Sequence, residues 1–277
     1  MSHPSCRRSS LFISACVVVA ATLVGQASPA TATEAELTAI IDDHWQWTLT
    51  QYPERRLEYG DRSGNDQWTE LSLDAFQRRY EEEGRFVQRL EQIEPATLSA
   101  DAQVNRAMLL RQLRDNLTEY EDGLHLIALD MRSGPQHRHS MIDTLPMMSA
   151  QDHEDWLNRL RGLPEQLFHY QALLSEGISR DRTQAQIVMS RVPSQIANLI
   201  TDQASESPFY RAFATMPEEI DAEIQTWLKS AAVAIIEEQI NPALRALLEF
   251  LENDYLPAAR PPGIGALPGG KQVYSRL

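Results

Sequence analysis

Several groups of side chains in this 277-residue chain have types and spacings that could do chemistry. Gly265-Ala266-Leu267-Pro268-Gly269-Gly270-Lys271 fits the pattern G-x-x-x-x-G-K, in which backbone amides and a lysine surround phosphate oxygens. The context that the pattern needs is missing. Gln272 stands where Ser or Thr should hold magnesium, no apolar strand leads in, and the sequence after Lys271 is too short for a phosphate-facing helix. Nucleotide binding is not expected.

Histidines are the next source of chemistry, because zinc held by imidazole and carboxylate serves exported hydrolases that lack cysteine. His137 and His139 flank Arg138 in a polar stretch, with His125 and His153 elsewhere in the chain. Nothing in the sequence fixes their rings, and solvated imidazoles in a loop are the plainer reading. His153-Glu154 begins like H-E-x-x-H, but Leu157 occupies the place of the second ligand. His153 and Glu154 are expected on the exposed side of a helix whose inner face carries Trp156 and Leu160. Asp42-Asp43 and Glu237-Glu238 are sequence neighbours that diverge around a helix and read as solvated surface. Asn116-Leu117-Thr118 matches a glycosylation acceptor but falls within a predicted helix, and no G-x-S-x-G elbow occurs. No catalytic residue, metal ligand or cofactor is assigned to this chain.

Composition narrows the setting. Arg7 and Arg8 precede an apolar run from Leu11 to Val24, and small residues end at Ala30-Thr31-Ala32. This is the order of a signal peptide, read over residues 1–32, and it implies a periplasmic or extracellular product. Ile13-Ser14-Ala15-Cys16 resembles a box preceding a lipid-modified cysteine, but most of the apolar run follows Cys16 rather than preceding it. Cys6 and Cys16 both lie in the leader, so the mature chain has no disulfide or thiolate chemistry. The formal charge is −14, and loss of Arg7 and Arg8 makes it two units more negative. Nucleic acid and anionic membrane surfaces, which reward clustered Lys and Arg, are not expected partners. No membrane association beyond export is read.

The elements that must position these groups are all helical. Thr33-Glu34-Ala35-Glu36 has capping-box spacing ahead of Leu37, Ile40, Ile41, Trp45 and Leu49. Ser72 caps a second helix with Phe76, Tyr80, Val87, Leu90 and Ile93 on one face. Beyond Ser99, the stripe Leu110, Leu113, Leu117, Tyr120, Leu124 and Ile127 should lie along another helix. Ser149 to Asp152 opens a helix that Pro164 kinks or restarts, Pro193 interrupts Ile187 to Ile200, and Thr215-Met216-Pro217-Glu218 caps a helix carrying Ile220, Ile224, Trp227, Leu228, Ala231 and Ile235. Asn241-Pro242 kinks or restarts that helix. No run alternates like a half-buried strand, apart from a short candidate near Lys271 to Tyr274. The fold class is all-α: an irregular multi-helix array or bundle over residues 33–277, ending in a Pro/Gly-rich loop from Pro257 onward that regular helix should not enter.

Taken in order, several segments resemble the bacterial family called domain of unknown function 885. They are Tyr52-Pro53 with Gly60-Asp61, Trp156-Leu157-Asn158-Arg159-Leu160, Ile187 to Ile196, Ser207-Pro208-Phe209-Tyr210-Arg211 with Met216-Pro217, and Leu256-Pro257-Ala258-Ala259-Arg260 with Ala266 to Lys271 and Tyr274. Ala185 departs from the pattern, where relatives are expected to carry Pro. The resemblance implies an exported, largely helical zinc metallopeptidase of the gluzincin type acting on peptide, with the zinc motif in a second half that has no counterpart here. Zinc is thus expected of the full-length family and not of this chain. The terminal loop would then line the cleft of the complete protein, with Pro268, Gly269, Gly270 and Tyr274 as substrate contacts, and the chain alone would be inactive. A free-standing exported helical binding or interaction module is the alternative.

Overall fold

The computed structural model describes residues 29–276, with side chains from residue 33. The leader, with Cys6, Cys16 and the apolar run, lies outside the described residues except for its last turn. That turn is already helical: α1 runs Pro29–Gln51, so Thr33 lies inside the helix and does not cap it. No Gly or Pro falls between Thr33 and Gln51 to interrupt it.

Three helices form the amino-terminal unit. Ser72 Oγ accepts the Ala75 amide and starts α2 (Leu73–Glu91), and Ser99 does the same for α3 (Ala100–Glu121) through Ala102. Pairs such as Glu83–Asn116 and Leu90–Arg106 make α2 and α3 antiparallel, and Asp43–Arg89 does so for α1 and α2. Leu37, Ile40, Phe86, Leu90, Ile93 and Leu113 seal one end of this trio. The predicted leucine stripe of α3 breaks at Gly123, whose φ of 71° ends the helix and sends Leu124 into a 3-10 turn.

A second, larger core surrounds α4 (Ala150–Ser179), which opens with a complete Ser149/Asp152 capping box and runs through Pro164 without interruption. The short α5 (Gln186–Met189) and α6 (Val192–Ala197) flank Pro193, and α7 (Arg211–Ala214) follows. Asp221, not Thr215, caps α8 (Ala222–Ile235): its carboxylate accepts the Glu223 amide at 2.7 Å. Leu228, Ala232 and Ile235 face the core, whereas Ile224 and Trp227 of the predicted apolar face point outward, Trp227 at 50 % exposure.

From α8 the helix continues without a break through α9 (Asn241–Phe250) and α10 (Leu256–Ala258), joined by π-helical turns over Ile236–Ile240 and Leu251–Tyr255. Each π turn ends immediately before an X-Pro pair, Asn241-Pro242 or Leu256-Pro257. A proline cannot donate to the fourth residue back and its ring crowds that carbonyl, so a widened turn lets the rod continue where a kink was expected.

The last stretch is also more helical than its composition suggests. Lys271 to Tyr274 is not a strand but part of α11 (Gly270–Arg276), with Val273 buried. Gly269, at φ 68°, makes the turn into it, and a Cβ on Gly270 would strike the Ile264 carbonyl. Among the described residues there is no strand, only an isolated bridge between Ala185 and Arg260.

Candidate functional site

The end of the α1–α3 unit opposite its apolar seal is open, because charged and aromatic residues occupy the inward register there. On α2 the buried positions run Ala75, Arg79, Glu83, Phe86 and Leu90, a helical stripe with two charges in its first half. Arg79 and Glu83 line a cavity of about 390 Å³ with His44, Thr48 and Tyr52 of α1 and its end, and with Asn116, Tyr120 and His125 across it.

Rings organise the space. The Arg79 guanidinium lies 5.1 Å from the centroids of both Tyr52 and Phe76. Tyr120 stacks on Tyr80 at 4.6 Å and on His125 at 4.5 Å, and His125 also meets Phe76 at 5.2 Å. Hydrogen bonds hold the walls: Asn116 Nδ2 donates to Glu83 Oε1 at 2.9 Å, and the Tyr120 hydroxyl donates to Gln77 Oε1 at 2.6 Å.

Burial dominates the electrostatics. It holds the Glu83 carboxyl above the ordinary carboxylate range, against the opposing Asn116 hydrogen bond, and raises the Tyr52 hydroxyl. It lowers Arg79 and His44, and pushes His125 down to about 4, so that imidazole is neutral at pH 7. A cation held among flat faces, near an acid that burial shifts toward its neutral form, is an arrangement for binding.

The residues singled out from sequence lie elsewhere. Pro268, Gly269 and Tyr274 are exposed, Tyr274 at 70 %, and Gly270 is buried. Their loop is anchored: Arg182 donates to the Pro268 carbonyl, Arg276 pairs with Asp122, and Arg260 gives hydrogen bonds to Thr183 O at 2.8 Å and Gly263 O at 2.7 Å. The amides of Ala266, Leu267 and Gly270 are used by carbonyls within the loop, which leaves little for a phosphate to bind.

The histidines do not converge. His153 is not on the exposed side of α4 but 1 % exposed, with Nδ1 2.9 Å from the Ser149 carbonyl, because the capping box turns the first helical turn inward. His137 is exposed, His139 packs near Phe209 and His125 belongs to the cleft. Among the described residues, no three His, Cys, Asp or Glu side chains are placed to hold a metal ion.

Several of the quoted motif segments, those around Trp156, Ile187 to Ile196 and Phe209, instead meet in the second core. Trp156 Nε1 donates to the Phe209 carbonyl at 3.2 Å, and the neighbouring Arg159, fully buried, reaches the carbonyls of Gly64 and Asn65. A family model described as "Bacterial protein of unknown function (DUF885)" matches residues 53–277. The chain belongs to this family. The DUF885 match takes in the α2 and α3 walls of the cleft and the terminal loop, while His44, Thr48 and Tyr52 precede it.

The crystal structure of a "putative lipoprotein" from Colwellia psychrerythraea shares the fold, with a TM-score of 0.77 at 16% identity over 88% of this chain and 45% of that one. The DUF885 chain therefore spans less than half the length of that structure. No curated protein matches it.

The cleft was missed in the sequence because Arg79 and Glu83 read as the polar face of an amphipathic helix. Their four-residue spacing from Ala75, in step with Phe86 and Leu90, was the available signal.

Proposed function

We propose that this chain is the amino-terminal helical portion of an exported zinc metallopeptidase-like protein. In the complete protein it builds one wall of a peptide-binding cleft, and zinc bound by the remainder activates water. The observation that carries this reading is that the fold aligns over most of this chain with under half of a longer structure. The firmly anchored terminal loop supports it, since it presents Pro268, Gly269 and Tyr274 to solvent on a rigid base. Half-exposed Trp227 and exposed Ile187 are apolar surface for a further part of the fold to cover. On this reading the 277 residues have no peptidase activity of their own, and the leader directs export.

The test is to read the gene beyond the Leu277 codon in all three frames and to assay both the 277-residue chain and any longer product on mixed peptides. Chelator-sensitive cleavage by the longer product alone, with a downstream H-E-x-x-H, is the expected result. Chelator-sensitive cleavage by the 277-residue chain itself, or unrelated downstream sequence, overturns the reading.

A further inference from the structure

Among the described residues, two buried arginines lie against aromatic rings, and they differ in how they are satisfied. Arg159 lies 4.7 Å from the Trp68 ring and has acceptors on every side: Asn65 O for Nε, Gly64 O for Nη2 at 2.8 Å and Met141 Sδ for Nη1 at 2.9 Å. No cavity is needed to explain it. Arg79 is only 5 % exposed, yet its hydrogen bonding consists of Nη2 to the Glu70 carbonyl, and its Nε is buried with no acceptor. It takes part in none of the ion pairs among the described residues. Glu70 and Glu83 act on it only at longer range.

A guanidinium taken out of water without a counter-charge is costly, and a carboxylate meeting its planar fork relieves that cost best. Arg79 borders the 390 Å³ cavity, a volume suited to a small molecule. We infer that the cleft between α1, α2 and α3 binds a small organic monocarboxylate with a flat unsaturated body, its carboxylate completing Arg79 and its body packed against the aromatic side chains that line the cavity, among them Tyr52, Phe76 and the edge of Tyr120. The remaining charges shape the choice. Arg55, 5.3 Å from the Tyr52 ring, adds a second positive group at the same end. Glu83 and Glu119 on the lining disfavour a second carboxylate, so a dianion should bind less well than a monoanion. This inference goes beyond the peptidase reading, since the cleft contains no residue of the terminal loop and stands whether or not a catalytic half exists.

Calorimetric titration of the full chain with four probes tests it: phenylacetate, its neutral amide phenylacetamide, the dianion phthalate, and 2-phenylethylamine. Phenylacetate should bind saturably with a Kd of about 1 mM or tighter, the amide and phthalate at least tenfold more weakly, and the amine not at all. Arg79→Met should lose at least tenfold in phenylacetate affinity while keeping the helical circular-dichroism spectrum. Tyr120→Ala should also weaken binding, through loss of the ring that holds the aromatic wall together. Equal binding of acid and amide, absence of saturable phenylacetate binding, or unchanged affinity in a folded Arg79→Met protein each overturns the inference. The acid–amide comparison uses the unaltered chain, so the test survives a variant that fails to fold.

Discussion

The two halves of this molecule handle buried polarity in opposite ways. Around α4, polar side chains of α4 and of the 61–71 segment are consumed by each other's backbone: Arg159 donates to the carbonyls of Gly64 and Asn65, Gln166 donates to Thr69 O, and the Trp68 indole donates to Arg159 O at 2.7 Å. Arg62 adds an ion pair with buried Asp152. In the open end of α1–α3, Arg79 and Glu83 face space and have few partners. Buried charge is cement in the first region and unused binding capacity in the second, and burial alone does not distinguish the two. Between Arg159 and Arg79, the number of satisfied donors does.

The largest expected effect separates the arginines directly. Arg159→Met removes bonds to two buried backbone carbonyls and should lower unfolding free energy by about 3 kcal/mol or more in urea denaturation. Arg79→Met gives up one carbonyl bond and relieves an uncompensated charge, so its effect should stay within about 1 kcal/mol in either direction. Equal losses in the two variants would break the comparison.

Two mid-helix glycines sharpen it. A Cβ on Gly177 of α4 would stand 2.7 Å from Arg182 O and 3.1 Å from Leu126 O, where the second core meets the chain leaving α3. Neither backbone atom can yield cheaply, so Gly177→Ala should cost about 1–3 kcal/mol. Gly84, on α2 between the cleft and the seal, has no atom within 4 Å of such a Cβ. Gly84→Ala should therefore stabilise by about 0.5–1 kcal/mol, the ordinary helix-interior gain. The same substitution thus changes sign between the regions, and paired thermal melts would show it.

Much of this architecture was legible. Ser72, Ser99 and Ser149 cap helices because a hydroxyl preceding an apolar register satisfies a free amide wherever the helix sits. Thr33 and Thr215 carry the same local signal and lose. α1 already runs through Thr33, and Gln225, bonded to the carbonyls of Pro217 and Ile220, closes a turn ahead of the Asp221 cap. Competing partners decided those starts, and such partners are not visible in a four-residue pattern. The outward turn of Trp227 was equally hidden, since hydrophobic periodicity fixes a stripe but not its edges. Of the expected leader, only residues 29–32 lie within the described residues, as part of α1. The terminal loop was legible only as glycine and proline, while the cleft required knowing which face of α2 meets α1 and α3.

Acid stability probes the cleft more gently. His125 titrates at about 4 in the folded chain against 6.5 for the ordinary group, because burial penalises the imidazolium. The stability that depends on its neutral form is complete above pH 6.5 and is lost as pH falls toward 4, where the unfolded chain takes up a proton that the folded chain resists. His125→Phe keeps a ring against Tyr120 and removes that proton. Urea midpoints at pH 7, 5.5 and 4.5 should show the variant gaining on the wild type at each step down, by no more than the uptake of one proton allows. Parallel curves would mean that the ring is solvated and the open end of α1–α3 wetter than its packing indicates.

The smallest effect concerns the seam that anchors the terminal loop. Ala185 has φ −65° and ψ 135°, the backbone that proline prefers, and its amide donates only to the Gln184 side chain, at 2.8 Å. Its carbonyl, which proline retains, accepts from Val188 and Met189. Ala185→Pro gives up one bond to a side-chain amide and restricts the unfolded chain, two changes of similar size and opposite sign. The net change should therefore lie within about 1 kcal/mol, read as a small shift in urea midpoint. A loss of several kcal/mol would show that the Gln184 amide bond holds the bridge to Arg260, and that the loop's anchor depends on a local turn as much as on the guanidinium.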